Sequence, residues 1–592
     1  MKRFLLLLIS GITTISNAQK LTINELGRYT DGREAACEIS TYHAESKQVF
    51  TTNAASGNID RVDITDPSRP QLVSTIDISP YGGGVNSVVM LPGGYLAAAI
   101  EAITKQDNGK IVFFNSSGAY VSDVTVGALP DMVTVTKDGK KVLVANEGEP
   151  NDEYTVDAPG SVSIIDISNG IENISNNDVT NLTFENAPTS IAGSLQKPGT
   201  TYAIDLEPEY IACNDASTLA AVVCQESNVF IFIDLTSNTI ISYKGLGFKD
   251  HSLEGNGFDA SNKDDAINIQ NWNIKGVYQP DAIAAYTVNN TTYFLSANEG
   301  DGRDYDGYSS ETRIKDLTVD DNAYSSDLLS DENLGRLKTF TSDVIGDANN
   351  DGKTESIYSY GARSFSIWDT SGNLVWDSGD DFEQYIADNH PDFFNCDDGL
   401  SEEKDGRSDD KGPEPEAITV GKIGLRSYAF IGLERQGGIM VYDITNPNKP
   451  EFENYIHTLQ TNGTMIDIAP EGLLFVPAQE SHTGENMLIV SNEVSGTTTF
   501  YGVEETANTI NDKTASTFTL FPNPAHDALT IESNNGGKAL IQNASTGQTI
   551  KEFSLSSNSE TIDIKTLEMG MYLLTIIDAK NDARQSTLFV KK

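Results

Sequence analysis

Basic residues are scarce in this chain: 40 lysines and arginines stand against 86 aspartates and glutamates in 592 residues, a formal charge of −46. No Lys/Arg cluster is present to track a phosphate backbone or an anionic bilayer, so nucleic acid and acidic lipid are excluded as partners and cations are favoured. Acidity of this kind also keeps an exported protein soluble, so scattered carboxylates alone carry no site. Cysteine is rarer still, with Cys37, Cys213, Cys224 and Cys396 only. That number excludes a disulfide-dense scaffold, and none has metal-ligand or redox spacing; Cys213 and Cys224, ending neighbouring strands, are the one pair placed to bridge. Past the first residues no apolar run is long enough to span a membrane as a helix. The six histidines are dispersed, and there is no Gly-x-Ser-x-Gly elbow, His-Glu-x-x-His or phosphate-cradling Gly-rich loop. Any chemistry therefore falls to acids and a metal they hold.

What the chain does have is a repeated two-part phrase. Pro280-Asp281 is followed, after an apolar run, by Asn298-Glu299-Gly300. The same pattern occurs at Pro130-Asp131 with Asn146-Glu147-Gly148, Pro208-Glu209 with Gln225-Glu226, Pro415-Glu416 with Leu433-Glu434, and Pro470-Glu471 with Asn492-Glu493. A third apolar strand follows each pair, as in residues 161–166, 229–234, 364–369 and 438–443, and most copies add a fourth, as in residues 72–78, 120–126, 239–243, 374–376 and 452–459. Counting weaker copies around Glu38 and Glu101, about seven repeats of period-2 strands predict an all-β fold, a β-propeller of about seven blades; a two-sheet sandwich does not explain a phrase repeated with the same acids. The last repeat lacks a fourth strand, and residues 21–29 are left over at the other end. An N-terminal strand that completes the last blade would close the ring and remove an exposed edge.

In such a blade the start of the first strand and the end of the second lie at the same end of the ring. Asp131, Glu147, Glu209, Glu226, Asp281, Glu299, Glu416, Glu434, Glu471 and Glu493 are therefore expected on one face near the central channel, with Glu38 and Glu101 as further members. Like charges gathered there need protons or cations, and Ca²⁺ suits irregular shells of carboxylate oxygen best, with other divalent metals as alternatives. The other reading of any single acid is a loop cap that accepts backbone N–H bonds. Long insertions over residues 250–276, 299–361 and 377–413 decorate the same face, and loops of such length are functional or mobile. One of them, Asp347-Ala-Asn-Asn-Asp351-Gly352, starts like a calcium loop but has Tyr358 where the closing acid is expected. Arg303, Arg363, Arg407, Lys411 and Arg435 are the cations placed to orient a phosphate or to neutralise these carboxylates.

The phrases Ala145-Asn146-Glu147-Gly148, Ser296-Ala297-Asn298-Glu299-Gly300, Tyr360-Gly361-Ala362-Arg363 and residues 407–416 resemble the choice-of-anchor I family over roughly residues 21–503. That family is related to mesenchyme-specific cell-surface glycoproteins, and its bacterial members are often labelled alkaline phosphatase-like. The resemblance implies an extracellular propeller with phosphatase or calcium-handling activity, and carries no catalytic residue over. At the start, Lys2-Arg3, an apolar run and Ser16-Asn17-Ala18 read as a signal peptide over residues 1–18. Residues 504–516 read as a polar linker between a propeller over residues 19–503 and a small module over residues 517–592. In that module Phe521-Pro522-Asn523-Pro524 and Leu567-Glu568-Met569-Gly570-Met571-Tyr572 resemble the C-terminal sorting domain of the type IX secretion system of Bacteroidetes, an Ig-like β-sandwich. That resemblance implies passage through the periplasm to the cell surface or the medium, with the secretion machinery as partner. Two functions stay open: a metal-dependent phosphoesterase acting on phosphorylated small molecules, and a non-enzymatic calcium-binding or adhesive surface module.

Overall fold

The computed structural model describes residues 20–506, 518–533, 537–543, 549–555, 558–578 and 584–592. The signal segment over residues 1–18 and most of the linker lie outside these. The remainder forms two compact units, one of them spanning Lys20–Glu505.

In the larger unit the inner strands are buried along nearly their whole length. Val229–Asp234 and Ser161–Asp166 are buried at every position but the last, whereas the outer strand Gln71–Asp77 is mostly exposed. A strand buried on both faces must have a neighbouring sheet on each side, which a stack of sheets around an axis supplies. The pairing follows this pattern: seven four-stranded antiparallel sheets occur within Lys20–Glu505, five of them built from four successive strands. The first contains Ser40–His43, Gln48–Asn53, Asn58–Asp63 and Gln71–Asp77. Hydrophobic cores fill the spaces between successive sheets, as where Leu91, Ala97 and Phe113 meet Val133, Val142 and Val144.

The last sheet shows how the ring closes. Pro470–Val476, Asn486–Asn492 and Thr497–Thr506 are completed by Lys20–Thr30 as outer strand, the pairing expected from the leftover N-terminal segment. Tyr29, Cys37, Val49 and Val62 from the chain start pack with Met487, Ile489 and Phe500, so the first and last sheets share one core. The fold is a β-propeller. The final strand runs to Thr506, and Tyr428 donates to Glu505, so this strand overlaps the first residues of the expected linker.

Two further expectations change. Cys213 and Cys224 are unpaired, as are Cys37 and Cys396. They end partner strands but at opposite ends of the pairing, with Cys213 opposite Ala220 and Cys224 opposite Pro208. The acidic insertions are also packed, not loose. Phe248–Asp250, Lys275–Val277, Tyr358–Ser359, Lys338–Phe340 and Glu311–Arg313 form a five-stranded sheet, over a core of Phe258, Trp272, Ile274, Ile314, Leu334 and Leu337.

The C-terminal unit is a separate two-sheet structure. Phe518–Phe521, Ala528–Ser533 and Asn558–Asp563 form one sheet, and Thr549–Leu555, Gly537–Asn543, Gly570–Asp578 and Arg584–Lys591 the other. Leu529, Ile531, Ile541, Tyr572, Leu574 and Phe589 make its core. Among the described residues no helix is long and apolar enough to cross a membrane.

Candidate metal centre

The repeated Pro-acid phrase has a backbone reason. Register shifts interrupt the first strand just after Pro130, Pro208, Pro415 and Pro470, so the following acid sits at a β-bulge, a device that re-aims a side chain out of the ladder. The residue before the proline is left-handed in four copies: Leu129 at φ 43°, Gln279 at 40°, Glu414 at 53° and Ala469 at 58°. For non-glycine residues that conformation costs about 1–3 kcal/mol each, and such strain concentrates at functional sites. In return the Leu129, Glu414 and Ala469 carbonyls accept from the N–H groups of Glu147, Glu434 and Glu493 at 2.8, 2.7 and 2.8 Å. One left-handed residue therefore pins both acids of a repeat at the same end of the sheet.

The asparagine of the second phrase acts as a brace. Asn146 Nδ2 donates to Ser161 Oγ at 3.2 Å and Ser163 Oγ at 2.9 Å; Asn298 Nδ2 does the same to Ser364 and Ser366 at 3.2 and 2.8 Å. The Ser-x-Ser that opens those third strands is thus the partner of the Asn-Glu. The glycine that follows is required where two loops touch: Gly300, at φ 94°, would place a Cβ 2.1 Å from Gly361 N, and a Cβ on Gly361 would lie 2.0 Å from Glu299 O.

These devices bring the acids together at one mouth of the channel. Asp131, Glu147, Glu209, Asp281 and Glu471 line a cavity of about 150 Å³ with Met132 and Tyr210. Four sets of three carboxylates, each with ligand oxygens within 4.8 Å of one another, occur there: Glu38/Glu471/Glu493, Glu147/Glu209/Glu226, Asp281/Glu299/Glu416 and Glu299/Glu414/Glu434. Glu209 and Asp281 line the same cavity, and ionised acids gathered there need a proton or a cation between them. Burial, and then the Glu149 charge, pushes Asp131 up to about 7. Burial, and then Glu493, raises Glu38 to about 8. Glu226 rises to about 7 through burial, against the nearby Arg303. Glu147, Glu209, Asp281, Glu416, Glu434 and Glu471 are all held well above the usual range, burial first and their fellow carboxylates next. Glu299 and Glu493 are raised by burial, with Lys411 and Arg435 respectively pulling them back. Glu226 Oε2, Glu416 Oε2 and Glu471 Oε2 are buried without a hydrogen-bond partner.

The five candidate phosphate-orienting cations are all engaged by carboxylates. Arg303 meets Glu207 at 3.1 Å and Asp205 at 3.3 Å; Arg363 meets Glu383 at 2.7 Å, away from the acid sets. Arg407 pairs with Glu414 at 2.6 Å, Lys411 with Glu299 at 2.5 Å and Arg435 with Glu434 at 2.8 Å. Glu207, Gln225, Asp301 and Glu414 also reach these groups, and sequence reading misses their part: Gln225 Nε2 donates to Glu299 Oε2 at 2.9 Å, and Glu207 and Glu414 each precede a repeat proline, a position that could have drawn notice. Glu101 belongs to none of the four sets and lines a separate hollow with Tyr81 and Asp107. In the Asp347 loop the acid that joins Asp347 and Asp351 is Glu355, not a residue at position 358.

Residues 38–447 match the model of the Choice-of-anchor I domain, and residues 519–591 that of the Secretion system C-terminal sorting domain. Gigasin-3a of Magallana gigas is 31% identical over 170 residues, 26% of this chain and 60% of that protein. A mesenchyme-specific cell surface glycoprotein of Strongylocentrotus purpuratus is 26% identical over 301 residues, 44% of this chain and 38% of that protein. The chain thus spans less than two thirds of either relative. Among solved structures, Kuenenia stuttgartiensis hydrazine synthase aligns at TM-score 0.41 and 11% identity, over 81% of this chain and 99% of that one. The WD40 domain of Toxoplasma gondii coronin aligns at TM-score 0.41 and 6% identity, over 83% and 88%. The sorting domain marks the chain for export to the cell surface or the medium through type IX machinery, and the match over residues 38–447 makes it a member of the choice-of-anchor I family.

Proposed function

We propose that the acidic mouth of the propeller binds divalent cations, calcium first among them, and that the exported protein works as a cation-binding surface module. The observation that carries this reading is the set of buried, unpartnered oxygens on Glu226, Glu416 and Glu471, each in a different three-carboxylate set. A buried charged oxygen without a partner costs more than the ~1–3 kcal/mol of a neutral one, so a ligand that satisfies three such sets stabilises the fold. Oxygens sharing one Ca²⁺ at about 2.3–2.6 Å are at most about 5 Å apart, and the oxygens of each set, all within 4.8 Å of one another, meet that limit. Mg²⁺ demands a tighter, near-octahedral shell and suits these irregular sets less well.

Hydrolysis of phosphate esters is the second reading, resting on the same acids as holders of a metal that would activate water. Three observations favour binding without catalysis. Apart from the acids themselves, no nucleophile or general base stands out among the described residues, the cations that would orient a phosphate are paired to carboxylates, and the cavity of about 150 Å³ is below the ~300 Å³ at which small-molecule sites begin.

The test is thermal unfolding of the mature chain in calcium and in chelator, for wild type, Glu226→Gln and Glu185→Gln, the last an exposed acid outside the mouth. Calcium should raise Tm by mass action in wild type and Glu185→Gln, and by much less in Glu226→Gln. An equal calcium response in all three would make the effect a diffuse surface one and sink the ordered site. Calcium-dependent phosphate release that Glu226→Gln abolishes would replace the binding reading with the hydrolytic one.

A further inference from the structure

The four carboxylate sets are not equivalent. In the set of Glu299, Glu414 and Glu434 each carboxylate already meets a lysine or arginine. Lys411 Nζ lies 2.5 Å from Glu299 Oε1 and 3.1 Å from Glu414 Oε2, with Asp301 Oδ1 at 4.0 Å. Glu299 Oε2 accepts from Gln225, Glu414 Oε1 from Arg407, and Glu434 Oε1 is held by Arg435 at 2.8 Å. Glu414 Oε2 has no hydrogen bond beyond its 3.1 Å ion pair with Lys411, whereas the buried, unbonded oxygens of Glu226, Glu416 and Glu471 in the other three sets have no ion pair among the described residues. Glu299, Glu414 and Glu434 are among the most enclosed acids of the mouth, at 7%, 0% and 7% exposure, and the Lys411 side chain is itself only 15% exposed.

From this contrast we infer that Lys411 is a built-in cation that, with Arg407 and Arg435 on its neighbours, fills the Glu299/Glu414/Glu434 set and closes it to metal, so that exchangeable ions are confined to the oxygens left open in the other three sets, one of which shares Glu299. The origin of the residue supports the assignment. The acids come with the repeated strands or stand just ahead of them, whereas Lys411 comes from the insertion between Leu374–Asp377 and Pro415–Ile423, 112 positions from Glu299. An ammonium between the Glu299 and Glu414 carboxylates, with Arg435 on Glu434, supplies one positive charge and up to three N–H donors, where a calcium ion supplies two charges and demands six to eight oxygens. The insertion thereby sets how many ions the mouth holds. Removing the ammonium leaves three enclosed carboxylates close enough to share a divalent ion.

The inference rests on the cation-binding reading and is separable from it by counting ions. Bound calcium per chain is measured by equilibrium dialysis and elemental analysis for wild type, Lys411→Gln and Lys411→Arg, each folded in calcium. Lys411→Gln keeps an N–H donor and removes the charge; it should bind one ion more than wild type and show a larger calcium-induced rise in Tm. Lys411→Arg keeps the charge and should bind the wild-type number. A Lys411→Gln chain that binds the wild-type number overturns the inference and leaves the binding reading intact. A Lys411→Gln chain that folds in neither calcium nor chelator also overturns it, because a divalent ion was to take the place of the ammonium. Should wild type bind no ion and Lys411→Gln bind one, the reading of the three open sets fails while the role of Lys411 stands.

Discussion

A single acid shows how far position along the chain can mislead. Glu383 lies in an insertion crowded with carboxylates and by sequence is a solvated surface charge, yet its side chain is 2% exposed and pairs with Arg363 at 2.7 Å. Its other oxygen accepts from Asp259 N at 2.8 Å, and the guanidinium, 4.4 Å from the Phe258 ring centroid, also donates to the Ser408 and Asp410 carbonyls at 2.8 and 2.7 Å. The pair joins three stretches of the insertions to the propeller. Removing one partner of a buried pair strands the other charge and costs about 3–5 kcal/mol, against ~0–1 kcal/mol for an exposed pair. Glu383→Gln should therefore lower the denaturant midpoint well beyond Glu451→Gln, which breaks the exposed Lys449–Glu451 contact. Equal midpoints would remove Arg363 from the structural account. The same residue-scale limit explains the five cations: sequence places them near acids, but which carboxylate each meets depends on contacts as distant as that between Arg303 and Glu207.

At the scale of elements, what could be read in advance was what repeats. The Pro-acid and Asn-Glu phrases recur because a bulge, a left-handed residue and an Asn–Ser brace recur, and each leaves a residue-type signature. The leftover strand was legible by subtraction, and Lys20–Thr30 now ties to the ring through Arg28–Asp467 at 2.6 Å and Tyr29–Asp60 at 2.9 Å. Deleting residues 20–30 removes Leu21 and Tyr29 from two inter-sheet cores and re-exposes the edge of Thr497–Thr506. Tm should fall by several degrees and aggregation on heating should increase; an unaltered Tm with unaltered solubility would mean that the edge is not held by this strand. The strand Val179–Thr183 escaped notice because its sequence is Val-Thr-Asn-Leu-Thr, with only two apolar side chains and no buried position. The insertion sheet escaped for another reason. Its strands are two or three residues long, too short for a period, and it pairs Lys275–Val277 in parallel with Tyr358–Ser359 across a gap that no local signal spans.

For the whole molecule the acids set how stability depends on pH. Asp131 and Glu226 titrate near 7 and Glu38 near 8 in the folded chain, through burial first in each case, against ordinary carboxylate values near 4 in the unfolded one. Between those limits the folded state binds more protons than the unfolded state, so metal-free stability is greatest near the low end of the window and falls as pH rises toward 8. His251 works the other way, since burial holds it at about 3 and stability through it is lost as pH drops below about 6.5. That contribution is the same with and without metal, so the informative quantity is the difference between calcium and chelator. Calcium competes with protons for the same oxygens, and its effect should be small near pH 5 and large near pH 8. Thermal unfolding of the full propeller in calcium and in chelator across that range measures it. A calcium-induced rise in Tm that grows with pH, and whose growth is blunted in Glu226→Gln, is the expected result. A rise that is the same near pH 5 and near pH 8 would mean that the ions bind where no proton has to leave, and the buried carboxylate sets would then be held by shared protons instead of metal.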